Sequence, residues 1–208
     1  MIKTKKELDF YIKADRIMRG LPLKPSFKEM IALYFNGGGI IEFQRLMRLY
    51  SYYSNIKNPN IIQRIKRNYY HYLYKKISLR LNFSIGSDVF GYGLLIPHYG
   101  TIVINSKARV GNYAVVHTCT NIAGKKTIGD ALYLATGSQI VGDITICDNV
   151  SVAANSLVNK DCPQNTLVGG VPARVLREDY PAWYIRDGKI FEERVNRVER
   201  LKKEMNIQ

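Results

Sequence analysis

Branched aliphatic residues recur at every sixth position between residues 104 and 158 of this 208-residue chain. A period of six fits neither an α-helix, which repeats every 3.6 residues, nor a single strand, which alternates every two. It fits a chain that turns a corner every six residues and buries one branched side chain at each turn. Three such sides close a triangular coil, and parallel stacking of the coils would bury three aliphatic columns. The ladder consists of Ile104, Val110, Val116, Ile122, Ile128, Leu134, Ile140, Ile146, Val152 and Val158.

The position after each ladder residue must fit a tight corner. Asn105, His117 and Val141 depart from the small residues found elsewhere, and His117 is the largest and most polar of the three. His117 is therefore the corner residue most open to a chemical role. The small corner residues are Gly111, Ala123, Gly129, Ala135, Cys147 and Ala153.

Helical spacing replaces the six-residue period on both sides of the ladder. Thr4 and Ser26 are candidate N-caps for the first two helices. The last helix spaces its apolar residues by three or four, so it is amphipathic and needs a partner surface, for which a neighbouring subunit is a candidate. We predict helices at residues 4–19, 26–35, 40–53, 60–81 and 190–205.

These patterns predict a mainly β fold with helical ends. Residues 1–82 form a basic, all-helical N-terminal region, residues 83–176 a domain of hexapeptide coils, and residues 177–208 a helical tail. The boundary after residue 82 is where helical spacing gives way to glycines and short β-branched runs.

The positive charge is concentrated in the helical region. The chain has a formal net charge of +14; residues 1–82 hold 17 Lys and Arg against 5 Asp and Glu, and residues 83–208 hold 14 against 12. No recognisable nucleic-acid-binding motif accompanies the charge, so we predict no nucleic-acid partner. Peripheral contact with an anionic membrane and a simply solvated helical face both remain open.

Composition also indicates the compartment. Three cysteines form no even framework, the N-terminus lacks a signal-peptide core, and no apolar run is long enough to span a bilayer. We therefore expect a reduced, cytoplasmic protein, with the inner face of the membrane as a candidate location. We predict no metal site.

Several motifs together resemble the hexapeptide-repeat acyltransferases, in particular their serine acetyltransferase-like branch, which includes enzymes of capsule and surface-polysaccharide pathways. The resemblance implies a left-handed parallel β-helix, homotrimers or dimers of trimers, and acetyl-CoA in the groove between two β-helices. Any one hexamer would be a weak signal, whereas the repeat with its closing loop is specific. The motifs are the ladder itself, GLLIPHYGTIVIN at 93–105, IGD at 128–130, VAANSLVNKD at 152–161 and GGVPARV at 169–175.

The family's catalytic histidine matches His98. Its implied role is that of a general base, taking the proton from an acceptor hydroxyl as its oxygen attacks the thioester. In strict register residue 98 stacks against residue 116, which would place His98 and His117 on opposite faces. A one-residue shift in the irregular first coil, which contains Pro97, would bring the two imidazoles to one face, and His117 would then share catalysis or bind the acceptor.

The chain departs from the serine enzymes where they bind the amino acid. Phe83 and Pro97 stand where those enzymes place acids, and their longer loop with a second His and an Arg is missing. These departures favour a neutral acceptor, such as a sugar or glycan intermediate. Asn82 and Asp88 are candidates for orienting His98 or binding substrate, and Tyr99 is a third substrate-binding candidate.

The resemblance places the acetyl-CoA site on small corner residues, with basic side chains near the nucleotide. For the small residues a purely structural role is equally natural, because tight corners demand them. The matching positions are Gly124, Ala135, Thr136, Gly137, Ala153, Ala154, Lys160 and Arg174.

We therefore expect an acetyl-CoA-dependent O-acetyltransferase that acts on a sugar hydroxyl in polysaccharide biosynthesis. One alternative keeps the chemistry and takes L-serine as the acceptor. The other is a non-catalytic trimeric scaffold, because the repeat specifies a fold whether or not its groove is active.

Overall fold

The structure is a computed structural model that describes residues 1–28, 31 and 39–207. It is a parallel β-solenoid of about five turns that matches a left-handed β-helix, with helices on both ends of the chain. The predicted fold class is thereby confirmed. The helices are α1 (Lys5–Met18), α2 (Ile40–Ser54), α3 (Ile61–Leu81), α4 (Trp183–Arg186) and α5 (Lys189–Glu204).

Short strands form the three sides of the coil. Two sides are five-stranded sheets, with strand orders β1-β2-β5-β8-β10 and β12-β11-β9-β7-β4, and the third pairs β3 with β6. The final β11–β12 pair is antiparallel and closes the stack. The strands are β1 (Phe83–Ser84), β2 (Ile102–Ile104), β3 (Arg109–Val110), β4 (Val115–Val116), β5 (Thr120–Ile122), β6 (Thr127–Ile128), β7 (Tyr133–Leu134), β8 (Gln139–Ile140), β9 (Ser151–Val152), β10 (Leu157–Val158), β11 (Leu167–Gly170) and β12 (Ala173–Arg177).

The predicted ladder is the core of the solenoid. All ten of its residues are at most 5% exposed. Partners eighteen positions apart stack in the predicted columns, as Val116, Leu134 and Val152 do along one sheet. Because each coil repeats the same inward positions, burial of three aliphatic side chains per coil, one on each side, stabilises the whole stack.

The tight corners explain the small residues that follow the ladder. A Cβ added at Gly129 would lie 2.6 Å from the Asp148 backbone nitrogen and 2.7 Å from the Cys147 carbonyl carbon. Neither backbone atom can move without separating the coils, so a side chain here would oppose stacking.

The first coil keeps a different register from the later ones. Leu95 pairs with Val115, twenty positions on, whereas Ile102 pairs with Thr120, eighteen on. Fully buried Ile96 therefore takes the inward place opposite Val116 that strict register gave to residue 98. The two extra residues lie between Ile96 and Gly100.

Capping residues define the starts of two helices. Thr4 and Glu7 form a capping box at α1, and Asn60 and Gln63 form another at α3, so both predicted helices begin within one residue of the predicted position. α2 begins at Ile40 as predicted. The predicted helix 26–35 lies largely outside the described residues.

The C-terminal helix packs on its own chain. Val195 and Val198 of α5 are buried in a cluster with Phe10 and Ile17 of α1 and Val115 of the solenoid. The predicted amphipathic helix is confirmed, and the suggestion that a neighbouring subunit covers its apolar face is corrected. α1 and the solenoid already provide that surface.

A buried ion pair joins the N-terminal helices to the first coil. Arg48 Nε donates to Asp15 Oδ2 at 2.9 Å, and both side chains are at most 2% exposed. Arg48 also donates to the carbonyl oxygens of Phe90 and Gly91, and Asp15 accepts from the Leu94 N–H. The helical region is thus fixed to the coil that carries His98.

None of the helices within residues 1–28, 31 and 39–207 combines the length and apolar character needed to cross a bilayer.

Candidate active site

His98 lies in the two-residue excursion of the first coil. Its side chain is exposed, as is that of Tyr99, and Gly100 returns the chain to register with a φ of +134°, a conformation that favours glycine. The Gly100 N–H donates to the Leu81 carbonyl at the end of α3. The excursion therefore projects His98 outward while both of its ends stay hydrogen-bonded.

The excursion brings the two predicted histidines together. The ring centroids of His98 and His117 are 6.4 Å apart, with an interplanar angle of 45°. Leu95 pairs with Val115, twenty positions ahead, so the first coil contains two extra residues where a shift of one was expected. The two imidazoles form the candidate active site.

His117 sits at a solenoid corner with a partly buried ring. Its backbone N–H donates to the Leu134 carbonyl, which fixes the position of the main chain. The centroid of its ring lies 5.3 Å from that of the Tyr133 ring. Burial and the neighbouring His98 lower the His117 pKa, while the Asp187 carboxylate acts in the opposite direction. A lowered pKa keeps the imidazole neutral near pH 7, the state in which it can accept a proton.

Tyr133, Arg186 and Asp187 are neighbours of this pair that sequence reasoning missed. The Arg186 guanidinium carbon lies 5.0 Å from the Tyr133 ring centroid, and Arg186 Nε pairs with Asp187 Oδ1 at 2.7 Å. Tyr133 could have been found as the outward residue one coil after Val115. The other two belong to the tail, and no period relates them to the ladder.

Five of the predicted cofactor residues share the His117 corner. The Gly137 N–H donates to the Thr118 carbonyl, and the Asn155 N–H donates to the Thr136 carbonyl, so successive corners stack directly. The short side chains leave the outer surface of this corner open for an extended ligand to lie against. The residues are Ala135, Thr136, Gly137, Ala153 and Ala154.

The other predicted cofactor residues lie elsewhere in the protomer. Gly124 follows β5 and Lys160 follows β10, so both belong to the next corner, across the sheet from His117. Arg174 is an exposed residue of β12, opposite Gly169 at the closing end of the stack. The protomer alone therefore does not bring all eight positions together.

Asn82 and Asp88 have structural partners. Asn82 caps α3 with a φ of +60°, and its carbonyl accepts from the Ile102 N–H. Asp88 accepts hydrogen bonds from Ser51 of α2 and from Asn55, the residue that caps the C-terminal end of α2, in a cleft of about 790 Å³ between the helices and the solenoid. These contacts hold the Asp88 carboxylate against the C-terminal end of α2, and its role toward His98 or the substrate stays a prediction.

Comparison with known proteins adds sequence relatives to this geometry. The chain is 30% identical over 145 residues to a serine acetyltransferase of Staphylococcus xylosus, an alignment that covers 60% of the chain and 65% of the relative. A serine acetyltransferase of Staphylococcus aureus is 29% identical over 112 residues, covering 50% and 51%. The chain resembles serine acetyltransferases. It spans between half and two thirds of the length of these two relatives, and no family model matches it.

Solved structures agree on the fold. A serine acetyltransferase of Neisseria gonorrhoeae superposes with a TM-score of 0.57 at 22% identity, covering 90% of this chain and 71% of that one. A serine acetyltransferase in complex with CoA gives a TM-score of 0.59 at 19% identity, covering 83% and 70%. At such identities the likeness concerns the fold alone.

Proposed function

We propose that this protein is an O-acetyltransferase that uses acetyl-CoA. The observation that carries the proposal is the His98–His117 pair, two imidazoles 6.4 Å apart on an open solenoid corner. The resemblance in sequence to serine acetyltransferases supports the same reaction class.

In the proposed reaction one imidazole acts as a general base. A ring nitrogen of His98 accepts the hydroxyl proton of the acceptor as the hydroxyl oxygen attacks the thioester carbonyl carbon. The carbon–sulfur bond then breaks, the ester forms, and the CoA thiolate leaves and takes up the proton. His117 lies close enough to share this role or to hold the acceptor hydroxyl, and no covalent acyl-enzyme is required.

We propose L-serine as the acceptor, in place of the sugar favoured by the sequence departures. The relatives in two Staphylococcus species support it by name, and their alignments span half or more of this chain. A sugar or glycan hydroxyl is the second candidate, and one structural feature supports it. Phe83, at the position of an acid in the serine enzymes, is a 5% exposed core residue packed on Phe43, with ring centroids 4.9 Å apart.

We also propose that acetyl-CoA binds between copies of the chain, in a homotrimer. Ala135 and Ala153 line one corner, whereas Gly124 and Lys160 line the next, so a groove formed by two copies would let both corners contact one ligand. Lys160 and Arg174 are exposed cations that can pair with the phosphate groups of the cofactor.

Replacing His98 tests the function directly. For His98→Ala we expect the rate of acetyl transfer to fall by roughly 10²- to 10⁴-fold, the usual contribution of a general base. The measurement is CoA release with L-serine and with a panel of sugars, nucleotide sugars and lipid-linked glycans. His71→Ala is the matched control, since His71 lies on α3 and stacks on Tyr50.

Three results would separate the alternatives. Activity of His98→Ala within tenfold of wild type contradicts the general-base role. Acetyl transfer to a glycan but not to L-serine contradicts L-serine as the acceptor and supports the glycan. Failure of acetyl-CoA to bind in calorimetry supports the non-catalytic scaffold.

A further inference from the structure

The C-terminal segment is anchored beside the candidate active site. Trp183 is 1% exposed, and its indole N–H donates to the Tyr113 carbonyl at 2.8 Å. Before it, the Tyr180 N–H donates to the Asn165 carbonyl at 2.7 Å. These contacts fix α4 on the solenoid, and they determine where the two residues at its end, Arg186 and Asp187, are placed.

Arg186 is held in one orientation and remains accessible. Its guanidinium carbon lies 5.0 Å from the Tyr133 ring centroid and 4.9 Å from that of Tyr180, and Nη1 donates to Ser151 Oγ at 3.1 Å. About a quarter of the Arg186 side-chain surface, 24%, is exposed to solvent. An arginine stacked between two rings loses little conformational freedom when it binds a carboxylate, so it is well prepared for that role.

Asp187 supplies the opposite charge at the same place. Its carboxylate pairs with Arg186 and is 32% exposed. Its charge also reaches the rings of His117 and Tyr133. An anion and a cation therefore lie together, and three contacts lead from Arg186 through Tyr133 and His117 to His98.

We propose that Arg186 and Asp187 bind the carboxylate and the ammonium of a hydroxyl-bearing amino acid. This inference rests on the proposed function and identifies the groups that would take the place of the loop missing from this chain. A step of 5.3 Å joins the His117 and Tyr133 rings, and 5.0 Å joins Tyr133 to the guanidinium. A three-carbon amino acid whose hydroxyl contacts His117, with His98 beside it, would extend along this path toward the guanidinium.

Electrostatics favours such an exchange. Without a ligand the two side chains neutralise each other, so neither charge is left unpaired beside the aromatic rings. A zwitterion replaces the internal ion pair with two pairs to the ligand, and the net charge of the site does not change. An acceptor that lacks either charge would leave one protein group without its counterion, which is the basis of selectivity.

Charge-deleted acceptors test the assignment. We would measure kcat/KM for L-serine, L-serinamide and 3-hydroxypropionate with wild type, Arg186→Gln and Asp187→Asn. We expect Arg186→Gln to lower kcat/KM for L-serine by about tenfold or more and to leave L-serinamide nearly unchanged. Asp187→Asn should lower kcat/KM for L-serine by a similar factor and leave kcat/KM for 3-hydroxypropionate nearly unchanged. The KM for acetyl-CoA should not change in either variant.

Exposed Lys189→Gln is the matched control, since it removes a nearby charge outside the cluster. Equal losses for all three acceptors would indicate a structural role and overturn the inference, as would unchanged kinetics. A wild-type enzyme that acetylates a glycan and none of the three acceptors would instead overturn the serine function, and this inference with it. Thermal unfolding of each variant identifies losses caused by misfolding.

Discussion

At the scale of single residues, the Arg48–Asp15 pair is a buried ion pair that connects two helices to a solenoid with an aliphatic core. Both partners are at most 2% exposed, and three backbone groups of the first coil complete their hydrogen bonding. Burying two charges is costly, so such a pair is a poor source of net stability. Removal of one partner alone should, however, cause a large loss of folding stability. The pair also links α1, α2 and the coil of His98.

Removing one partner of that pair should therefore destabilise the protein strongly. For Arg48→Met we expect the free energy of unfolding to fall by about 3–5 kcal/mol, because Asp15 is left buried and uncompensated. Urea unfolding followed by circular dichroism measures the change. In the Arg48→Met/Asp15→Leu double variant no charge remains, and part of the loss should be recovered.

Arg45→Met is the control for this experiment. Arg45 pairs with Glu42 at a surface position, with 45% of its side chain exposed. Such pairs contribute about 0–1 kcal/mol. If Arg48→Met cost no more than Arg45→Met, the buried network would not have the role assigned to it.

At the scale of elements, α3 presents an apolar and basic surface to solvent. The helix contains no Asp or Glu, and Ile62, Ile65, Tyr69 and Tyr72 are between 56% and 63% exposed. Lysine and arginine residues lie between them along the helix. Apolar anchors with flanking cations suit the interface of an anionic membrane, so we retain peripheral membrane contact as a proposal for α3.

Vesicle binding tests this surface. We expect co-sedimentation with phosphatidylglycerol vesicles at low salt, little binding to neutral phosphatidylcholine vesicles, and loss of binding as salt is raised. Lys66→Gln should weaken binding roughly fivefold, the equivalent of about 1 kcal/mol per surface charge. Ile65→Ser should weaken it as well, whereas Ile190→Ser, an exposed residue of α5, should not. A protein that ignores anionic vesicles at low salt would contradict the proposal.

At the scale of the whole molecule, the solenoid exposes apolar side chains that contacts with further copies of the chain would cover. Val175 and Leu176 of the closing strand are 42% and 57% exposed, and the proposed cofactor residues lie on two corners. An assembly about a three-fold axis would cover apolar surface and pair different corners of neighbouring copies. The division of the chain at residues 82 and 176 remains a prediction.

Light scattering in solution tests the assembly. We expect a mass three times that of the 23.8 kDa chain, or six times if two trimers associate through their helices. A mass that stays at one chain across the concentrations used for kinetics would contradict a cofactor site shared between copies. The six-chain result would also offer an alternative cover for the exposed face of α3.

The sequence alone determined the solenoid, because its signal is local and repeated. Each ladder residue takes the equivalent inward position on one side of a coil, and Val116, Leu134 and Val152 of successive coils stack as the period requires. The caps at Thr4 and Asn60 are likewise local, so the helix starts followed from neighbouring residues. His98 and His117 were visible as polar exceptions to that pattern.

Only the tertiary structure decided how these exceptions meet. The two extra residues of the first coil, which place His98 beside His117, follow the buried Ile96 and end at the Gly100 turn. The placement of Arg186 and Asp187 depends on Trp183 and on α5 packing against α1. Contacts between segments so distant in the chain arise from many packing interactions acting together, and no periodicity in the sequence records them.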